Sequence, residues 1–147
     1  MTATREPIAI ALLGVIAKSY QWAVPPSRRV KLWDDAKQRP VAFLQENGEQ
    51  RASQSLTLTK RTLEFKLFVY TDAKPIDSEL PGSTELNTII DALDASLTPS
   101  AADLMTGRMT LGGLPIQHCQ IVGPILIDAG DLDGDGIAII PITVLLP

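Results

Sequence analysis

Thr62-Leu63-Glu64-Phe65-Lys66-Leu67-Phe68-Val69-Tyr70 is the clearest strand in this 147-residue chain. Leu63, Phe65, Leu67 and Val69 recur at every second position, the period that lines one face of a sheet with apolar side chains. Just upstream, Leu56-Thr57-Leu58-Thr59 also alternates, but with its apolar residues at even positions. A slip of one residue turns a strand's buried set toward water, so the change of phase predicts a bulge or bend near Lys60-Arg61. Earlier still, Val41-Ala42-Phe43-Leu44 reads as a short strand entered through Pro40, and Asn47-Gly48 after it as a turn.

Outward from this centre the pattern changes to a helical period. Ile8, Ala11, Leu12, Val15, Ile16 and Tyr20 share one face of a first helix, widened by Ile10 and Leu13 so that two sides are expected to be covered. Thr4 suits its N-cap, Glu6 its positive dipole end and Pro7 its first turn, where a missing N–H costs nothing. Pro25-Pro26 bars continuation. Ile8–Ala17 resembles the apolar core of a signal peptide, but Glu6 and Pro7 spoil the basic leader, and the stretch is short of the roughly twenty residues that cross a bilayer. Neither secretion nor a membrane span is expected.

A loop rich in proline follows Asp72, and Ser83 or Thr84 opens a second helix with Leu86, Ile89, Ile90, Leu93 and Leu97 on one face and Asp91 and Asp94 outward. Pro99 closes it. Residues 100–115 read as irregular, with turns at Gly107 and Gly112-Gly113. Two extended runs, Ile116–Ile127 and Ile137–Leu146, flank an acidic hairpin-type loop, and Pro141 in the second run suggests an edge position or a bulge. The order α–β–β–α–β–β describes an α+β fold, a mostly antiparallel sheet packed with two main helices in one domain, residues 1–147.

Charge is unevenly divided along the chain. Up to Thr71 there are eleven Lys/Arg against six Asp/Glu, a balance of +5; from Asp72 onward two against eleven, a balance of −9. A protomer with two unlike charged surfaces can attract a copy of itself head to tail, a contact that closes into rings or runs on as filaments. The net charge of −4 gives no reason to expect sequence-specific nucleic-acid binding. The basic cluster Arg28, Arg29, Lys31, Lys37 and Arg39 is too short for such a footprint. Two readings of it stand side by side: a protein interface, since adjacent Arg28 and Arg29 cannot both face inward from an extended stretch and Trp33 beside them is an amphipathic anchor, or an ordinary solvated loop with Trp33 tucked into the core.

Candidate chemistry is sparse. Asp131, Asp133 and Asp135 with Gly136 match the first half of a calcium loop, but Ile142 stands where the closing bidentate Glu belongs and a strand follows where a helix should. An acidic hairpin tip that needs no metal, and that could order against a basic neighbour, is the simpler expectation. His118 and Cys119 are adjacent in a strand, so their side chains diverge and cannot form a nucleophile pair. Ser53 and Ser55 lack a nucleophile-elbow setting, Asp34-Asp35 and Asp91/Asp94 read as solvated, and there is no phosphate-binding glycine loop. The lone Cys119 rules out an internal disulfide. No enzyme and no cofactor are expected.

Taken in order, the helix ending at Tyr20, Ser27-Arg28-Arg29-Val30-Lys31-Leu32-Trp33-Asp34-Asp35, Arg39-Pro40-Val41-Ala42-Phe43 leading to Asn47-Gly48-Glu49, Leu67-Phe68-Val69-Tyr70, the Leu86-Asn87 helix, Thr110-Leu111-Gly112-Gly113 and the closing Ile137–Leu146 strand resemble the bacteriophage tail-terminator family, the group of minor tail protein U, over nearly the full length. The resemblance implies a virion protein of the tail or neck, made in the host cytoplasm. It implies a homohexameric ring that caps the head-proximal end of the tail tube, meets the major tail tube protein on one face and the head connector on the other, and passes DNA through its lumen. The Asp131–Asp135 stretch is not part of that pattern. Two other classes fit the residues: another neck or head-completion protein, and a monomeric binding module using the calcium-loop-like turn.

Overall fold

The computed structural model describes residues 5–32, 35–36, 38–53, 55–56, 59–72, 83–128 and 135–146. The alternating stretch at its centre becomes β2, Thr59–Asp72, hydrogen-bonded on one side to β1, Val41–Ser53, and on the other to the last strand, Asp135–Leu145. Both pairings are antiparallel. Leu63 stands opposite Val144 and Leu67 opposite Ile140, so the predicted apolar face continues across strands.

The expected turn at Asn47-Gly48 is not a turn. β1 runs through it for thirteen residues, and the register with β2 shifts between Glu46 and Gly48. A bulge puts an extra residue in one strand, and glycine suits the distorted position. No irregularity occurs at Lys60-Arg61, where one was expected: both pair in unbroken register with Ala52 and Arg51, and the bulge on β1 lies opposite Glu64 and Phe65. The chain reverses between Ser53 and Thr59. Leu56 is fully exposed there rather than part of a strand, and Thr57 and Leu58 lie outside the described residues.

Helix α1 spans Arg5–Ser19 and buries Ile8, Ala9, Leu12 and Ile16. Its cover is one-sided: Leu13 is half-buried, but Ile10 is 58% exposed, against the expectation of two covered sides. Helix α2, Ser83–Ser96, packs against α1 and buries Leu86, Ile89 and Leu93, with Asp91 and Asp94 outward as expected. The stretch read as irregular holds a short helix α3, Ala101–Thr106, and a two-stranded hairpin of β3, Met109–Leu111, and β4, Leu114–Ile116. Its turn is the predicted Gly112-Gly113. Gly112 has a φ of 55°, and a β-carbon there would sit 3.4 Å from Ala11, so a glycine lets the hairpin close onto α1.

The first extended run of the C-terminal region breaks into β5, His118–Ile121, and β6, Leu126–Asp128. Both pair with the same side of β7, Asp135–Leu145. β7 is therefore central, and the edge position suggested by Pro141 is not what occurs. The Pro141 carbonyl accepts the Val122 N–H at 3.2 Å. In a strand a residue's N and C=O point the same way, so the missing N–H of Pro141 faces the break between β5 and β6, where no ladder bond is lost.

Side chains alternate across this five-stranded sheet. The inner set, which includes Ala42, Leu44, Phe65, Leu67, Val69, Ile140, Ile142 and Val144, forms one core with α1, α2 and the β3–β4 hairpin. On the outer face the segment after α1 covers one end only. There Ala36, Val41, Phe43 and Tyr70 make a second, small cluster, and the Tyr70 hydroxyl donates to the Lys31 carbonyl at 2.6 Å.

Candidate assembly interface

Arg28 is the first candidate whose place differs from a free basic loop. Ser27 forms a parallel bridge to Phe43 at the β1 edge: its N–H donates to the Ala42 carbonyl at 3.3 Å, and its carbonyl accepts the Leu44 N–H at 2.9 Å. This bridge aims Arg28 back over its own chain. Its guanidinium donates to Glu6 at 2.7 Å and to Glu46, and the hydrogen bond from Arg28 holds the Glu6 carboxyl below its ordinary range. Arg29, by contrast, is exposed, with Val30, Lys31 and Leu32 beside it. Of the two arginines expected to reach a neighbour, Arg29 has a side chain in solvent and Arg28 joins the start of α1 to β1.

A second ion-pair group lies beside it. Glu49 accepts from Arg5 at 2.7 Å and Arg61 at 3.3 Å, with Arg51 at 3.5 Å. The bond from Arg5 is the main reason its carboxyl is also depressed. Arg39 pairs with Asp72 at 2.8 Å. Five of the early cations are thus engaged within the chain, although only the Arg39–Asp72 pair draws on an acid from beyond Thr71. Among the described residues, Lys18, Arg29, Lys31, Lys60, Lys66 and Arg108 are the cations without an ion pair. Trp33, Asp34 and Lys37, and likewise Asp131 and Asp133, lie outside the described residues. Asp135 contributes backbone to β7 opposite Asp72.

Two of those free lysines mark a surface that reading the sequence missed. Beyond the cover at Tyr70, no described residue closes the outer face of the sheet. A hollow of about 260 Å³ is lined by Lys66, Phe68, Ile139, Pro141, Val122 and Leu126, among others. It adjoins a wider one that shares Val122 and carries Lys60, His118, Thr143 and Leu145. Val122 is 45% and Leu126 60% exposed. Among the described residues no acid lines either hollow. The signal for this surface is the unbroken apolar runs Leu67-Phe68-Val69-Tyr70 and Ile137–Ile140, which leave apolar side chains for both faces of a strand.

The opposite side of the protomer differs in charge. From Ser83 to Gly107 there are four acids and no Lys or Arg. Asp91 and Asp94 are exposed without an ion pair among the described residues, and Leu104 and Met105 on α3 are 73% and 88% exposed. α3 is held by a capping box, the Asp103 N–H donating to Ser100 at 3.1 Å and the Ser100 N–H to Asp103 at 3.1 Å. Thr110 also donates to Asp103 at 2.9 Å. These bonds, the Ser100 N–H foremost, lower the Asp103 pKa.

His118 is exposed and Cys119 buried, on opposite faces as the strand requires, and burial pushes the Cys119 thiol up to about 12. The described residues hold no group of three His, Cys, Asp or Glu placed to bind a metal ion, and no helix among them is long and apolar enough to cross a membrane. The sequence matches no protein-family model and no curated protein.

Proposed function

We propose that this chain is a structural virion protein of a tailed bacteriophage, assembling as a hexameric ring at the head-proximal end of the tail tube. There it ends tube polymerisation and provides the joint to the head connector. The observation that carries the reading is the pairing of two unlike surfaces on opposite sides of one protomer, a basic and apolar sheet face and an acidic helical face. A ring of identical subunits needs such a pair. The tail-terminator-like segments support it by their order, and they fall on the α+β fold that the resemblance implies.

Function in this reading is recognition without chemistry. One ring face matches the last ring of the tube, and the other lacks the surface that a further tube subunit requires. The test is mass by light scattering together with electron microscopy of the purified protein. Rings of about six copies are expected on the tail-terminator resemblance, closed by heterologous contacts, and tube growth should stop when the protein is added to polymerising tail-tube subunits. A monomer at every concentration, without effect on tube length, would refute the proposal.

A further inference from the structure

Resting on that ring reading, we propose which surfaces meet: the open outer face of the sheet seats the α2–α3 surface of a second copy of this chain. Three observations converge on that occupant. The seat is apolar where Phe68, Ile139, Pro141 and Leu126 line it, and Leu104 and Met105 are the exposed apolar pair on α3. Scattered exposed apolar residues are ordinary, but a contiguous apolar hollow on a sheet face is a surface shaped for cover.

Charge then selects the partner. Lys66 within the seat and Lys60 beside it have no ion pair among the described residues, and neither do Asp91 and Asp94 on the opposing surface. Glu64, which shares that face of β2, lines a separate hollow with Arg5 and Gly48. Complementary charge at the rim of an apolar contact fixes its register and discriminates between partners.

Position supplies the third argument. α2 buries Leu86, Ile89 and Leu93 in the core against the inner set of sheet residues, so its acidic side looks away from the outer face. Knob and seat lie on opposite sides of one protomer and cannot be satisfied within it. The contact is heterologous, each copy giving one surface and receiving the other, which is the arrangement that propagates around a ring.

The experiment reverses charge on each surface and then on both. Lys60→Glu/Lys66→Glu and Asp91→Lys/Asp94→Lys are each expected to raise the concentration at which the assembly dissociates at least tenfold. The fourfold variant should recover most of the loss. Thermal melting checks that each variant is folded, and Leu126→Glu, at an exposed position, replaces any that is not. Variants that assemble like the parent, or weakening that the fourfold variant does not recover, would overturn the assignment while leaving the ring reading intact. A parent protein that is monomeric throughout would overturn both.

Discussion

The two faces of the central sheet are built from the same strands, often from adjacent residues, yet only one is sealed. Leu67, Ile140 and Ile142 are fully buried beneath α1 and α2; Phe68, Ile139 and Pro141, one position away, are half-buried around an open hollow. Side-chain character barely distinguishes the two sets. What differs is that both long helices pack on one side, while among the described residues the outer side is covered by Val24 and Ala36 over its Phe43–Tyr70 end. An antiparallel sheet commonly has one solvated face, and that face is then polar. Here Phe68, Val122, Leu126, Ile139 and Pro141 keep part of it apolar between the lysines, which is why the partner is proposed to sit there.

The sharpest way to break this comparison is to truncate neighbours on β7. Ile140→Ala should cost about 3 kcal/mol, the range for emptying a buried aliphatic site. Ile139→Ala should cost about 1 kcal/mol or less in the monomer, where its side chain is already partly in water. Urea unfolding measures both. Equal losses would show that the outer face is as sealed as the inner one.

Next in size is Gly136→Ala, at the end of the inner face. A β-carbon there would lie 2.1 Å from the Thr71 hydroxyl oxygen, and Thr71 is buried with that oxygen lacking a hydrogen-bond partner. A loss of about 2 kcal/mol is expected from such overpacking. Thr71→Ala in the same chain should recover part of it, and strictly additive losses would refute the clash.

A smaller effect concerns what holds the acidic surface in place. Ser100→Ala removes one side of the capping box and should cost about 1 kcal/mol by thermal melting. In the assembly assay it should also weaken association, because Leu104 and Met105 ride on the helix it caps. An unchanged assembly with a lowered melting temperature would separate α3 from the interface.

The smallest effect is a dependence on pH. Glu6 and Glu49 have folded-state pKa values below the ordinary 4.5, held there chiefly by hydrogen bonds from Arg28 and Arg5. A depressed carboxyl contributes stability above its unfolded value, and that contribution is lost as the pH falls from about 4.5 through the lower folded value. Melting temperature should therefore begin to drop as the pH falls through about 4.5 and go on dropping below it, and Arg5→Gln/Arg28→Gln should flatten that part of the profile. The change is modest because these groups are largely solvent-screened. An identical slope in the variant would show that the pairs contribute nothing.

Local signals were legible where one short-range rule acted alone. The period of two in Thr62–Tyr70, the two helical stripes and the glycine pair at 112–113 all lead to the elements that form. Misreadings arose where a local signal had two structural uses. Asn47-Gly48 can reverse a chain or bulge a strand, and the choice fell to β2, whose long apolar face offered pairing on both sides of the irregularity. Pro141 excludes a ladder bond on one side only, and β7 could be central because β5 and β6 part at that point. The basic cluster was visible by composition, but the bonds from Arg28 to Glu6 and Glu46 join residues far apart in sequence.

Periodicity and composition, being properties of neighbours along the chain, carried the fold class, the buried faces of β2, β7 and α2, and the excess of base early and acid late. The tertiary structure decided which charges remain free and which sheet face remains open. Pairing among Arg5, Arg28, Arg51, Arg61, Glu6, Glu46 and Glu49 engages four of the early cations, while Lys60 and Lys66, without an ion pair among the described residues, stand beside an apolar hollow that the placement of both helices on one side leaves uncovered by them. Those outcomes depend on which distant segments meet, and hydrophobic burial, being non-directional, does not encode that in any single stretch.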